Sequence, residues 1–439
     1  MRRFLCAFLF PVVFLSPVRG QDKAIEEHGH SHAPAAAKPA DVYRPTVLPD
    51  RVVLSWTGDP ATSQAVTWRT STDVKHAVAQ VAVASGNPAF TESAWPVEAA
   101  TQSLKTDLGA AHFHTAQFTD LKPATKYAYR VGDGKNWSEW FHFRTAHATA
   151  EPFSFIYFGD AQNNIRSMWS RVIREAYSDA PKASFFLHAG DLINRAESDA
   201  EWGEWFGAGG HLNAMTPSLA VPGNHEQAKQ AFGARRLSHH WRPTFAFPEN
   251  GPEGLKESCY TLVYQGVRFV CLNSNTSLGK QAEWLEATLA ANEEKWVVCT
   301  FHHPVFSTGG DRDNPELRRL WKPILDKHRV DIVLQGHDHT YGRTGLETPV
   351  IENVAEGVTQ VDVETGTVYV VSVSGPKMYP LQRHDFMKKQ LANTQLYQII
   401  HIEGDKLRYE ARTAIGEVYD AFELAKRPGE INQLTELVD

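Results

Sequence analysis

Five short runs in this 439-residue chain hold side chains that bind hard or borderline metal ions. They are Gly159-Asp160-Ala161-Gln162, Gly190-Asp191, Gly223-Asn224-His225-Glu226, His302-His303-Pro304 and Gly336-His337-Asp338-His339. Asp160, Asp191, Asn224, His302, His337 and His339 offer oxygen and nitrogen donors without thiolate. That set suits iron, manganese or zinc, rather than an all-oxygen calcium cage or a sulfur-bound structural zinc. The donors outnumber the places around one tetrahedral ion, so two ions sharing one carboxylate are expected. Two ions about 3.5–4 Å apart can hold a phosphoryl group and lower the pKa of a bound water, giving a metal-activated hydroxide at neutral pH. The chemistry then needs a proton donor for the leaving oxygen, and His225, beside Asn224, stands in sequence where one is wanted.

Taken singly these runs are weak signals, since a Gly-Asp pair is commonly a turn. Their weight comes from what precedes them. Phe153–Phe158, Ser184–Leu187, Leu219–Pro222, Trp296–Phe301 and Asp331–Gln335 read as buried strands, and each feeds one of the runs. In an open α/β sheet the crevice beyond the carboxyl ends of strands is where sites form. The glycines before the donors are expected to let the backbone turn sharply. Helical spacing over Ile165–Tyr177, with helices near Gln281–Ala291 and Glu316–His328, supplies the crossovers of a layered α/β domain over 151–426. A hairpin of Tyr260–Tyr264 and Val267–Leu272, turning at Gln265-Gly266, puts Tyr260 rather than Cys259 opposite Cys271. Cys259, Cys271 and Cys299 are therefore expected as buried thiols. Thr367–Val373 and Gln395–Ile402 add late strands, and 427–439 reads as a polar tail.

Ahead of this body, residues 43–147 show short strands separated by turns: Val52–Trp56, Gln64–Arg69, Ala77–Ala84, His112–Phe118, Tyr127–Val131 and Trp140–Arg144. A tyrosine just after a corner, with Trp68 in an early strand, predicts an all-β, fibronectin III-like sandwich. It carries no evident chemistry and reads as packing support. Residues 21–42, with His28, His30 and His32, read as a flexible leader. Residues 1–20 have the basic start, apolar stretch and small-residue end of an export signal, predicting a secreted or periplasmic protein with no membrane span once the signal is removed. The composition, 42% hydrophobic, 11% aromatic and 22% charged, is that of an ordinary globular chain. A formal charge of −7 gives no electrostatic reason to expect nucleic acid or anionic lipid as a partner.

In this order the five runs resemble the calcineurin-like metallophosphoesterases. The preceding module, with Pro49-Asp50-Arg51-Val52 and Trp56-Thr57-Gly58-Asp59, looks like the amino-terminal domain of purple acid phosphatases. The resemblance implies a four-layer β-α-α-β-type metallophosphoesterase domain, a two-metal site and hydrolysis of small-molecule phosphate esters. Carried over, Asp160 and His339 would bind the first metal, Asp191 would bridge, Asn224, His302 and His337 would complete the second, and His225 would protonate the leaving group. Two departures bear on the first metal. Asn194 stands where purple acid phosphatases have tyrosine, which removes the basis for phenolate-to-iron charge transfer. Gln162 stands where other metallophosphoesterases have histidine, and its amide oxygen is assigned to the first metal, with Asn194 as the lesser choice. The histidines that purple acid phosphatases carry beyond the His-x-Pro motif have no counterpart in Ser307–Arg312, so His239, His240 and Arg242 are candidate phosphate contacts, with Arg343 after the last motif. The ions are expected to be two divalent or mixed-valence transition metals. A phosphodiesterase or nucleotidase using the same site, or a non-catalytic exported binding protein with a degenerate metal site, stay open as alternatives.

Overall fold

The computed structural model describes residues 36–350, 360–362 and 365–438. The export-signal reading of 1–20 and most of the leader, including His28, His30 and His32, lie outside the described residues. Among the described residues no helix is long and apolar enough to cross a membrane.

Residues from Asp50 to Arg144 form the expected sandwich of two four-stranded antiparallel sheets. One runs in the order Asp50–Ser55, Gln64–Ser71, Gly109–Phe118, Ala100–Thr106, and the other Trp95–Glu98, Val78–Val83, Lys126–Gly132, Phe141–Arg144. Trp68, Phe118, Tyr127, Tyr129 and Phe143 fill the space between them. The Tyr127 hydroxyl accepts the Lys122 N–H at 2.8 Å, which pins the corner. The strands Trp95–Glu98 and Ala100–Thr106 have few buried positions, and so gave no alternation to read in sequence.

The sandwich is tied to the rest of the unit by buried charge. Arg51 Nη1 meets Asp199 Oδ1 at 2.7 Å, and Arg69 Nη1 meets Asp199 Oδ2 at 3.0 Å. The Tyr129 hydroxyl donates to the Ala214 carbonyl at 2.6 Å. Removing one member of such a group strands the others without water, which is why buried ion pairs resist single substitutions.

Two seven-stranded sheets make the second body. In the first, Ser218–Ala220, Phe186–His188 and Phe153–Phe158 run parallel, and Leu396–Glu403, Lys406–Thr413, Val418–Ala425 and Gln433–Glu436 follow antiparallel. In the second, Val267–Cys271, Trp296–Thr300, Ile332–Gln335 and Val368–Val371 are parallel. The hairpin strand Tyr260–Tyr264 pairs with Val267–Cys271 in the expected register, Tyr260 opposite Cys271. Cys259, Cys271 and Cys299 are buried free thiols.

Side-chain alternation decides the layer order, and it corrects the β-α-α-β expectation. Phe155 and Phe185 from the first sheet meet Phe269 from the second at 5.4 and 5.2 Å between ring centroids. The sheets therefore pack directly on one another. On the outer face of the first, Phe158 stands edge-on to Trp169 at 4.7 Å, and the helix Ser170–Asp179 buries Val172, Ile173 and Ala176. On the outer face of the second, Cys299 and Val333 pack with Leu285 from Leu278–Ala290 and with Leu317 and Trp321 from Pro315–Lys327. The order is α-β-β-α. A strand buried on both faces announces itself in sequence, but not which face a helix covers.

Two further expectations shift. The helix over Ile165–Tyr177 begins as a π-turn, Ile165–Trp169, before the α-helix Ser170–Asp179. Residues 427–439 are not a free tail: Gln433–Glu436 extends the first sheet as its edge strand.

Candidate metal centre

All five runs lie at the carboxyl ends of parallel strands, three from one sheet and two from the other, so stacking the sheets brings them together. Two donor groups result, Asp160–Asp191–His339 and Asp191–His302–His337, each with its ligand atoms within 4.8 Å of one another. Asp191 belongs to both. His302 Nε2 is 3.2 Å from Asp191 Oδ2, and His339 Nε2 is 3.2 Å from Asp160 Oδ2. His337 Nδ1 lies 3.1 Å from His302 Nε2, and the Asn224 amide oxygen lies 3.1 Å from the same nitrogen.

Crowding explains the glycines. A Cβ on Gly223 would stand 2.1 Å from Asp191 Oδ1, and one on Gly336 would stand 2.3 Å from Asp160 Oδ1. The left-handed turns themselves fall largely on the donors, with φ of 52° at Asp191, 78° at His337 and 52° at His339. Non-glycine residues hold that conformation at a cost of about 1–2 kcal/mol each, commonly at functional sites.

The donor set fits cations. His302 Nδ1 faces the Ala189 carbonyl at 2.9 Å, and His339 Nδ1 faces the Lys377 carbonyl at 2.8 Å. A carbonyl only accepts, so each Nδ1 carries a proton and Nε2 is the nitrogen left to face inward. Asp160 Oδ2 is buried without a hydrogen-bond donor. Burial would raise the Asp160 carboxyl, but His302 and His339 hold it below the usual carboxylate range. Burial alone would lower His302, yet Asp191 and Asp160 lift it to about 9. Burial, reinforced by His302 and His303, drives His337 well below an ordinary imidazole. Bare carboxylates facing imidazoles in a dry crevice are groups that a cation would neutralise.

Gln162 reaches the centre, in a way that differs from the expectation. Its Nε2 lies 2.9 Å from Asp191 Oδ2 and 3.0 Å from His339 Nε2, whereas Oε1 is buried without a partner. As it stands, the side chain donates to Asp191 and offers no oxygen ligand there. Asn194 contributes its backbone carbonyl, which faces His225 Nδ1 at 2.6 Å. That contact keeps the proton on Nδ1 and turns His225 Nε2 toward the site, 3.9 Å from Asp191 Oδ2.

Four proposed phosphate contacts are not brought to the centre. His240 is buried under the sandwich, stacked on Trp202 at 5.7 Å and 3.8 Å from Asp199 Oδ1, and burial lowers it to about 4. Arg242 is half exposed with its Nε 3.7 Å from Glu257, and His239 faces Glu197 at 3.5 Å. Arg343 is fully buried: Asp420 takes Nε at 2.6 Å and Nη2 at 3.0 Å, Glu436 takes Nη2 at 2.7 Å, and Nη1 reaches the Thr344 carbonyl. Its charge holds the two sheets together.

Two acidic residues inside the motifs act as clamps that sequence reasoning did not assign. Glu226 accepts N–H groups from Asp191 at 2.9 Å, Leu192 at 2.8 Å and Gly223 at 2.7 Å, fixing the turn that carries Asp191. Burial and the nearby Asp191 push its carboxyl up to about 8 against these donors. Asp338 Oδ2 accepts from Ser307 Oγ at 2.8 Å, Thr308 N at 2.6 Å and Gly309 N at 3.1 Å, tying that loop to the last motif. An acidic residue beside each donor was the only available signal.

Comparison with known proteins agrees with this geometry. Residues 49–145 match the family model described as the purple acid phosphatase N-terminal domain, and residues 153–341 match the calcineurin-like phosphoesterase model. An uncharacterized protein of Mycobacterium tuberculosis is 27% identical over 323 residues, covering 63% of this chain and 59% of that protein. The Arabidopsis thaliana protein named probable purple acid phosphatase 20 is 30% identical over 239 residues, covering 51% and 53%. The chain thus matches between half and two thirds of the length of these curated relatives. Among solved structures, the purple acid phosphatase PPD1 from yellow lupin seeds superposes with a TM-score of 0.69 at 19% identity, over 86% of this chain and 74% of that one. At that identity the likeness is one of fold.

Proposed function

From a chain that belongs to the calcineurin-like phosphoesterases as a purple acid phosphatase-like member, we propose a binuclear metal-dependent hydrolase of small phosphate monoesters. The observation that carries this reading is the pair of donor groups sharing Asp191. Asp160, Asp191 and His339 would hold one ion, and Asp191, Asn224, His302 and His337 the other, with iron, manganese or zinc suited to these donors. Bound there, the ions would supply Lewis acidity toward phosphoryl oxygens and a lowered pKa for water.

The remaining work falls to the chain. His302 and His339 are held by carbonyls so that their Nε2 atoms face inward. His225 keeps its Nδ1 proton on the Asn194 carbonyl, so proton exchange occurs at Nε2. In the imidazolium form that nitrogen donates to the leaving oxygen as the P–O bond breaks, with Asp191 nearby to stabilise the charge before transfer. Asn194 carries no phenolate, so the metal-loaded protein is expected to lack a charge-transfer band in the visible.

Purified protein loaded with manganese, zinc or iron is to be assayed on p-nitrophenyl phosphate and bis-p-nitrophenyl phosphate, with elemental analysis of the same preparation. Turnover of the monoester with about two ions per chain supports the reading; no turnover of either ester at any metal sinks it. Export enters the proposal on sequence alone, from Arg2, Arg3 and the apolar run that follows. Mass analysis of the protein recovered outside the cytoplasm is its check.

A further inference from the structure

We propose that Arg312 makes this site select dianionic monoesters over monoanionic diesters, by gripping the phosphoryl group from the rim of the metal centre. The inference rests on the phosphoesterase reading above and assigns it a specificity-determining residue.

Arg312 lies in the segment after His302-His303-Pro304 where no histidine was available to meet a phosphate. Its Nη2 donates to the His337 carbonyl at 2.8 Å and to His337 Nε2 at 2.7 Å. Its guanidinium carbon sits 4.7 Å over the Tyr379 ring, and that ring lies 4.6 Å from His339. One cation thus spans from a donor of one group to the aromatic wall against a donor of the other. The side chain is a quarter exposed, and its buried Nε has no hydrogen-bond partner, Asp338 Oδ1 being 3.5 Å away.

The arm is also pre-organised. Asp338 fastens Ser307, Thr308 and Gly309 to the same run that supplies His337 and His339. The Lys377 ammonium lies 5.1 Å from the centre of the same Tyr379 ring, adding positive charge at that rim. Arg235 lines the same cavity as His337 and reaches the Asn224 carbonyl at 3.3 Å, but it makes no contact with His337, whereas Arg343 is neutralised by Asp420 and Glu436.

A guanidinium presents a planar fork that matches two phosphoryl oxygens, and a phosphoryl oxygen is a stronger acceptor than the neutral His337 Nε2. A phosphoryl group held between the donor groups lies beside His337, within the arm's reach. A monoester carries about −1.5 to −2 charge near neutral pH, with a second pKa of about 6. A diester carries a single charge and has one fewer free oxygen. The added cation therefore favours the monoester.

The test compares wild type, Arg312→Gln and Arg312→Lys, each metal-loaded. It reads kcat/KM on p-nitrophenyl phosphate and bis-p-nitrophenyl phosphate, metal content, and orthophosphate affinity by calorimetry. Arg312→Gln should lower monoester kcat/KM and orthophosphate affinity by about ten- to a hundredfold, change the diester by less than about threefold, and keep its metal. Arg312→Lys should recover part of the monoester loss. Equal losses on both esters, unchanged orthophosphate affinity, or loss of metal from Arg312→Gln would each overturn the assignment, the last by making Arg312 a support for His337. The two readings fail separately. Without hydrolysis in wild type the phosphatase reading falls, whereas orthophosphate binding weakened by Arg312→Gln still identifies an Arg312-dependent anion site.

Discussion

The two donor groups share Asp191 and are otherwise built from different materials. One has two carboxylates and a single imidazole, with the Gln162 amide nitrogen standing 2.9 Å from Asp191 and 3.0 Å from His339. The other is crowded with imidazoles: the His302 and His337 rings are 4.9 Å apart, and His303 lies 4.4 Å from His337. Burial, His302 and Arg312 hold His303 down at about 3, so it remains a neutral neighbour bonded to Ser274. The first half is short of one donor and rich in negative charge. The second has its full complement and competes with protons. The difference teaches that two donor groups can differ in ligand number and charge while sharing one residue.

The comparison breaks most sharply at the bridge. Asp191→Asn should remove turnover to assay background and reduce bound metal from two ions to at most one, beyond the roughly 10- to 100-fold cost of losing an outer partner of a ligand. If that variant kept both ions and its activity, the shared-carboxylate arrangement would be wrong. His225→Ala should cost about 10²–10⁴-fold on an alkyl phosphate and far less on p-nitrophenyl phosphate, whose leaving group needs little protonation. Elemental analysis of the same variant should still find two ions. Equal losses on the two substrates would remove His225 as the proton donor.

Smaller effects separate the halves. A competing chelator should strip one ion well before the other, and His302→Ala should lose the ion that wild type keeps longest. Biphasic release in wild type, reduced to the fast phase in His302→Ala, is the expected trace; a single phase in wild type contradicts the asymmetry. Gln162→His adds an imidazole to the deficient half and should slow the fast phase several-fold, on the order of an outer-partner effect in reverse.

The smallest effect is in pH. In the metal-free protein His302 is held at about 9, above its unfolded value. The stability it contributes is fully present below about 6.5 and is lost as pH rises through about 9. Glu226, raised to about 8, acts in the same sense, its contribution being complete below about 4.5 and lost through 8. Metal-free protein should therefore melt a few degrees lower at pH 9 than at pH 6.5. Metal uptake, which must displace the His302 proton, should strengthen over the same range. Calorimetric scans with and without metal check both signs.

Most donors were legible before any fold was known, because metal affinity is a property of side-chain type and the buried strands are local patterns. Phe153–Phe158 leading to Asp160, and Trp296–Thr300 leading to His302, need no partner to be recognised. Arg343 shows where that ends. It follows the last motif and carries the right charge, but it is fully buried, and Asp420 and Glu436, far along the chain, neutralise it there. His240 fails for the same reason, with Trp202 and Asp199 closing over it. Arg312 is the converse: nothing in Ser307–Asp313 marks it until Tyr379 and His337 come up beside it.

By itself the sequence determined which atoms could bind metal, that strands deliver them, and that one sandwich precedes one layered domain. Tertiary structure alone decided that the two sheets face each other with helices outside, that Gln162 turns its nitrogen toward Asp191, and which arginine lies against His337 at the rim. The reason is one of range. Donor chemistry and strand burial are set within a few residues, whereas the partner that satisfies or spares a charge is chosen by packing between segments distant in the chain.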